Sequence, residues 1–210
     1  VYVANIHKHL TYVNGVFLKF FKSCDLFYKI VKTAMKTKWE ISLEQGEWFE
    51  DNVALPWMYN TFPEWWITDC RLEKKSLLGG PKMCNATQTL TLPDFRLDNA
   101  ETNQTIWIDA KYKARSYKLD KYPGDYFTTI DPRSYQEYLD FIKIWPRVDF
   151  LILFGRRTTR LLYIMNLKTA EPVWHWYEND HVRMGRNLTP CFSEKYLDPV
   201  GTWNPTLMPC

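Results

Sequence analysis

The sequence has no long apolar run. None of its uncharged hydrophobic stretches approaches the roughly 18 residues that a membrane-spanning helix needs, and Phe150–Phe154, among the longest, has the length of a buried strand. It has no Cys-x-x-Cys pair. The five cysteines (Cys24, Cys70, Cys84, Cys191 and Cys210) are widely spaced and odd in number, which argues against a structural zinc site or a dense disulfide framework. The four histidines show no metal-ligand spacing, and no internal repeat is visible. Neither sign of charge dominates: 27 Lys and Arg against 24 Asp and Glu give a net charge of +3. Bulk charge therefore does not choose the partner, and any nucleic-acid footprint must be local. A clean secretory segment is missing as well, because Asn14, Gly15 and Lys19 interrupt any apolar run in residues 1–20. The chain opens at Val1 rather than Met, so further N-terminal sequence is expected to precede it. The expectation is reduced thiols in an intracellular protein, and the glycosylation patterns at Asn85, Asn103 and Asn187 are read as chance matches.

What is there suits a globular protein: 210 residues, 46% hydrophobic, 24% charged and 17% aromatic. Residues 9–40 have helical apolar spacing. Ser42 is a candidate cap for a second helix, which Pro56 should end or kink near Leu55. Strands are expected at 65–72, 89–97 and 105–112, the last two forming a hairpin across the polar turn 98–104. Asp131-Pro132 reads as an N-cap followed by proline at the first helical position, opening a helix to Trp145. Val148–Phe154 reads as a strand covered on both faces, with another at 161–167. The tail from Thr189 is Pro-rich and non-periodic. This order implies an α/β or α+β chain, a mixed sheet with helices on it. The expected division is an N-terminal helical extension over 1–40, a core over 41–168 and an irregular C-terminal tail over 169–210, packed as one compact domain.

The segment that carries chemistry is Pro93-Asp94, then the hairpin turn, then Asp109-Ala110-Lys111. Residues two apart on a strand share a face, so Asp109 and Lys111 project together, about 6–7 Å apart along the backbone. Ile108 and Ala110 face the other way, into a core. Asp94 lies on the partner strand, where the hairpin brings it beside Asp109. Two carboxylates at one point repel unless a cation joins them. Magnesium suits them, since it takes hard oxygen ligands and usually keeps waters. Such a site polarises a phosphoryl oxygen and acidifies a bound water. Lys111 is then placed to orient that water or to stabilise charge developing on phosphate.

This arrangement resembles the PD-(D/E)xK nuclease superfamily, with Pro93-Asp94 as the first element and Asp109-Ala110-Lys111 as the second. The resemblance implies a restriction-endonuclease-like core of helix, three-strand meander, helix and strand, spanning about residues 42–155. It implies a Mg2+-dependent DNA nuclease, with Mn2+ able to substitute, and metal held by Asp94, Asp109, the Ala110 carbonyl and Glu50. Glu50 is the third acid because Gly46-Glu47-Trp48-Phe49-Glu50 fits the Gly-x-x-x-Glu setting of the family's first helix, and Glu47 is the alternate. Gln136 matches the glutamine that RecB-like members carry on the helix after the DxK strand, although position 140 here is Asp. Iron–sulfur subfamilies need clustered cysteines, which Cys191 and Cys210 do not supply. An endonuclease, a RecB-like exonuclease and a Holliday-junction resolvase, the last as a homodimer, all fit within the resemblance.

A basic, tyrosine-rich stretch leaves the DxK strand: Lys113, Arg115, Lys118 and Lys121 interleave with Tyr112, Tyr117 and Tyr122, and Tyr126 follows. Cations neutralise phosphates and rings stack on unpaired bases, so this stretch is expected to grip DNA as a loop. Arg156 and Arg157 form a second basic turn after the 148–154 strand. A non-catalytic nucleic-acid-binding protein on the same fold is the reading from another class.

Overall fold

The computed structural model describes residues 37–71, 82–84, 89–177 and 187–208. The chain divides into two compact units, Val1–Glu44 and Gln45–Cys210. Of the first, 37–44 is described, so the helical expectation for residues 9–36 lies outside the described residues. Helix α1 (Lys38–Phe49) begins four residues before the expected Ser42 cap. Its start is set by a capping box: Glu40 N–H donates to Thr37 Oγ1 at 3.2 Å, and Thr37 N–H donates to Glu40 Oε2 at 2.7 Å.

Of the two outcomes expected at Pro56, an end or a kink, the helix does not end there. After α1 the chain widens into one π turn, Glu50–Ala54, in which the Leu55 N–H reaches back five residues to the Glu50 carbonyl. Proline has no N–H and its ring crowds the carbonyl four residues back. The wider turn carries the chain past Pro56, and helix α2 (Leu55–Thr61) resumes.

Six strands form a mixed sheet in the order β1-β4-β5-β8-β9-β12: β1 Trp66–Asp69, β4 Phe95–Asn99, β5 Gln104–Lys113, β8 Asp149–Arg156, β9 Leu161–Asn166 and β12 Asp198–Thr202. Strands β5 and β8 run parallel and every other pair in this sheet is antiparallel. The parallel pair needs a crossover, supplied by helix α3 (Pro132–Ile144). Asp131 caps α3 as expected, accepting from the Arg133 and Ser134 N–H groups at 3.0 and 3.2 Å.

Helices cover both faces of the sheet. On one, Phe49, Val53, Ala54 and Met58 pack against Phe95, Leu97, Ile108, Ala110, Leu153 and Leu162. On the other, Tyr135, Tyr138 and Phe141 of α3 pack against Trp107, Phe150, Ile152, Phe154 and Met165. Alternation along β5 thus sends even-numbered residues to the α1 face and odd-numbered ones to the α3 face.

Three expectations are revised here. The strand expected over 89–97 breaks at Pro93, which cannot donate to a ladder. Its first part is β3 (Thr89–Thr91), paired with β2 (Lys82–Cys84), and its second is β4. The basic stretch after β5 is not a plain loop. It contains β6 (Tyr117–Lys118) and β7 (Tyr126–Thr129). These join β11 (Asn187–Ser193) and β10 (Val173–Tyr177) in a second sheet, ordered β10-β11-β7-β6. The tail is therefore not irregular: β11 sits inside that sheet and β12 closes an edge of the first. Its prolines concealed this. Pro199 lies on the edge strand β12 beside a register shift, where proline is tolerated, and Pro190 still offers its carbonyl to the Ile130 N–H at 3.3 Å. No helix among the described residues is long and apolar enough to cross a membrane.

Candidate active site

Strand β5 places Asp109 and Lys111 on the α3 side of the sheet. Asp109 is 4% exposed, and its Oδ2 lies 2.6 Å from Lys111 Nζ. Asp94 stands just before β4, and Pro93 ahead of it sets that entry. Phe95 pairs with Ile108, so one step further along the same register Asp94 lies opposite Asp109. Both ends of the residue are fixed: its carbonyl accepts from the Cys70 N–H at 2.9 Å, and its carboxylate Oδ2 accepts from the Ala110 N–H at 2.9 Å. Asp94 is 1% exposed.

Two buried carboxylates and one ammonium, which contacts Asp109, set the electrostatics. Burial by itself would push Lys111 down, but Asp109 and Asp94 outweigh it and hold its pKa well above the ordinary lysine value. Without a metal, Lys111 is therefore held as a cation. Its Nζ lies 5.8 Å from the centre of the Tyr138 ring. Burial, then Asp109, pushes the Tyr138 hydroxyl well above the usual tyrosine range, so that residue stays neutral. Tyr138 was legible only as part of the apolar face of α3. Its role beside Lys111 follows from that face meeting the odd-numbered residues of β5.

The donor set fits magnesium. Asp94 and Asp109 are hard oxygen donors, the Ala110 carbonyl lies between Asp109 and Lys111 in the chain, and magnesium is commonly held by one or two carboxylates with waters completing its shell. Among the described residues, no three acidic, His or Cys side chains converge as a metal cage.

Of the remaining expected site residues, Glu50 and Gln136 have side-chain partners. Glu50, in the π turn, gives its Oε2 to Arg71 Nη1 at 3.1 Å. The same guanidinium holds Asp69 through Nε at 2.8 Å and Nη2 at 2.6 Å, contacts Asp51 at 2.9 Å, and stacks 4.5 Å from the centre of the Phe95 ring. Burial works against the charge of Arg71, but Asp69 and Glu50 raise its pKa above normal. Glu47 is exposed on α1. Gln136 is exposed on α3, where its Nε2 donates to Asp140 Oδ1 at 3.1 Å. That helix-surface pair uses Asp140, the position at which this chain departs from the RecB-like pattern.

The basic residues separate into two groups. Arg115, Lys118 and Lys121 are exposed, each against a ring: Arg115 is 6.0 Å from Tyr117, Lys118 5.0 Å from Tyr126 and Lys121 5.8 Å from Tyr122. Arg157 is exposed as well. Arg156 corrects the expectation of a solvent-facing basic turn: it is 0% exposed and ion-paired with Glu194, whose Oε2 accepts from Ser116 Oγ at 3.2 Å. Arg156 pairs in register with Lys113. Burial first, then Lys111 and Arg156, pushes Lys113 down to about 8. Glu194 was not anticipated, because it lies 38 residues from Arg156 in a tail with no periodic signal.

No family model and no curated protein matches the sequence. Among solved structures, Hjc, a Holliday junction resolvase from the archaeal hyperthermophile Archaeoglobus fulgidus, aligns over 70% of this chain and 88% of that one, at 8% identity and a TM-score of 0.36. A likeness of that size says nothing about chemistry, which has to be argued from this chain's own residues.

Proposed function

We propose that this chain is a magnesium-dependent phosphodiesterase of the PD-(D/E)xK type that acts on DNA, most simply as an endonuclease. The observation that supports it is that two buried acids, Asp94 just before β4 and Asp109 on β5, stand opposite each other in register, with Lys111 against Asp109. In this reading Asp94, Asp109 and the Ala110 carbonyl hold the cation. When bound, it supplies Lewis-acid polarisation of a phosphoryl oxygen and a more acidic water. Lys111 donates hydrogen bonds from Nζ to the attacking water or to a phosphate oxygen, so it orients the water or stabilises developing negative charge. Tyr138 walls the site with a neutral ring. Arg115, Lys118, Lys121 and Arg157 give exposed positive charge for the phosphate backbone, and Tyr117, Tyr122 and Tyr126 give rings beside it. Glu50 is engaged by Arg71, so the proposal does not depend on it.

The test is cleavage of supercoiled plasmid, linear duplex, single strand, four-way junction and RNA, with and without Mg2+ or Mn2+, by wild type, Lys111→Ala and Asp109→Asn. Metal-dependent cutting that disappears in both variants is expected, with plasmid nicking marking an endonuclease. Preference for free ends would make it an exonuclease. Preference for the four-way junction would make it a resolvase, expected as a homodimer. Nucleic-acid binding with neither cutting nor calorimetric magnesium binding would leave a non-catalytic binding protein and overturn the proposal.

A further inference from the structure

Asp94 stands just before β4 begins, so its place depends on what holds the chain there. Its carbonyl is tied to the end of β1 by the Cys70 N–H at 2.9 Å. That rung follows the Asp69–Phe95 pair, the last of the β1–β4 ladder. Strand β1 has four residues and lies at an edge of the sheet, and the ends of such strands open more readily than the middle of a sheet. A frayed rung would let the first acid swing away from Asp109.

Arg71 closes this end. Its backbone N–H donates to Asp69 Oδ1 at 2.9 Å, which turns the chain as it leaves β1. Its guanidinium then folds back along the strand. Nε and Nη2 hold the two oxygens of the Asp69 carboxylate as a bidentate fork, Nη1 reaches Glu50 in the π turn, and the group lies over the Phe95 ring. Arg71 is 8% exposed. One side chain thus fastens the end of β1, the π turn and the first residue of β4. It follows Cys70 in the chain and rests on Phe95, which follows Asp94, so it grips both sides of the rung and acts on the acid through the backbone. An apolar side chain could fill the same space without the cost of desolvating a cation. What it would not supply is direction, since a planar fork accepts its partners in one orientation.

We propose that Arg71 is a positioning residue that holds Asp94 where it can share a cation with Asp109. The proposal rests on the metal-site reading of the acid pair. It gives Glu50 a structural part, as one of the carboxylates that hold the clamp. Partners that orient a ligating group from outside commonly change metal affinity by roughly tenfold to a hundredfold, which sets the size of the expected effect.

The experiment uses the full chain as wild type, Arg71→Met, Arg71→Lys and Leu162→Ala. Arg71→Met keeps an apolar stem over Phe95 and removes the fork, and Arg71→Lys keeps the charge without the fork. Leu162→Ala empties part of the same core on β9, three strands from β4, and controls for lost stability alone. Amide hydrogen exchange at Cys70 and Ala110, the two donors to Asp94, reads the position of the acid without any metal. Calorimetric Mg2+ binding reads the consequence, and urea denaturation records global stability. In Arg71→Met, exchange at both amides should quicken by about tenfold more than the loss of global stability accounts for. Mg2+ binding should weaken roughly tenfold or more. Arg71→Lys should fall between it and wild type, and carries the same expectation at smaller size if Arg71→Met does not fold. Leu162→Ala should lose stability and bind Mg2+ like wild type. Unchanged exchange at both amides, or an equal loss of Mg2+ binding in Leu162→Ala, would overturn the proposal. So would tighter Mg2+ binding in Arg71→Met, which would mean that the clamp withholds Glu50 from the metal. If wild type binds no Mg2+, the metal-site reading fails, and the exchange data still decide whether Arg71 holds Asp94.

Discussion

The Asp94 carboxylate accepts a hydrogen bond from the Ala110 backbone N–H at 2.9 Å. The bond forms one step beyond the Phe95–Ile108 pair, where β5 already runs and β4 has not begun. A side chain thus takes the acceptor place that a ladder carbonyl would otherwise fill. One contact satisfies a buried donor and also holds the first acid against the strand that carries the second.

Substitutions at Asp94 should separate those two roles. Asp94→Ala leaves the Ala110 N–H buried without its acceptor and is expected to cost about 1–3 kcal/mol, read as a lower urea midpoint. Asp94→Asn keeps an acceptor oxygen and should stay close to wild type in stability. It loses a charge, so magnesium binding followed by calorimetry should still fall at least about tenfold. Equal destabilisation by both variants would mean that the charge, rather than the acceptor, secures this corner.

Gly155 on β8 faces the ring of Phe49, and a Cβ at that position would overlap the ring. Both residues lie in the α1-face core, and Phe49 immediately precedes the π turn. Gly155→Ala is expected to destabilise by about 1–3 kcal/mol, as overpacking of a dense core does. Adding Phe49→Leu should recover part of that loss. Thermal denaturation of the two single variants and the double variant checks this, and simple additivity would show that the ring is not what the methyl meets.

The elements legible in the sequence were those with a strong local signal. Asp131-Pro132 fixed the start of α3, and the apolar run at Val148–Phe154 marked a strand buried on both faces. The Asp109-x-Lys111 spacing put two functional groups on one side of β5. The start of α1 was missed although its signal was present, since Thr37-x-x-Glu40 is a capping box and Ser42 is not. The tail and the second sheet were missed for a different reason. Strands β6 and β7 are short, and β11 pairs with β7 only across more than 60 residues of chain. No periodicity in the segment 187–202 reveals its partners. Likewise a buried arginine such as Arg156 looks like a surface cation until its distant acid is known.

The Arg156–Glu194 pair connects the end of β8 to the turn that follows β11, and Arg156 is fully buried. Breaking a buried pair from one side strands a charge in low dielectric. Glu194→Ala should therefore cost roughly 3–5 kcal/mol. The double variant Arg156→Met with Glu194→Leu removes both charges and should regain most of that stability. Urea denaturation of the three variants tests the coupling. A Glu194→Ala chain as stable as wild type would mean that water reaches Arg156.

Lys113 supplies the pH dependence. Burial first, then the neighbouring cations Lys111 and Arg156, pushes its pKa down to about 8, against about 10.4 for a lysine in the unfolded chain. Between those two values the unfolded state holds more protons, so this residue's contribution to stability rises with pH across that window. The penalty is complete below about pH 8 and gone above about 10.4. Lys113→Met should accordingly be more stable than wild type near neutral pH, with an advantage that fades as the pH is raised through the window. In the wild type, the side-chain NMR signals of Lys113 should titrate near 8, apart from the other lysines. A midpoint in the ordinary lysine range would instead mean that solvent reaches the Lys113 ammonium and that Arg156 and Lys111 do not crowd it.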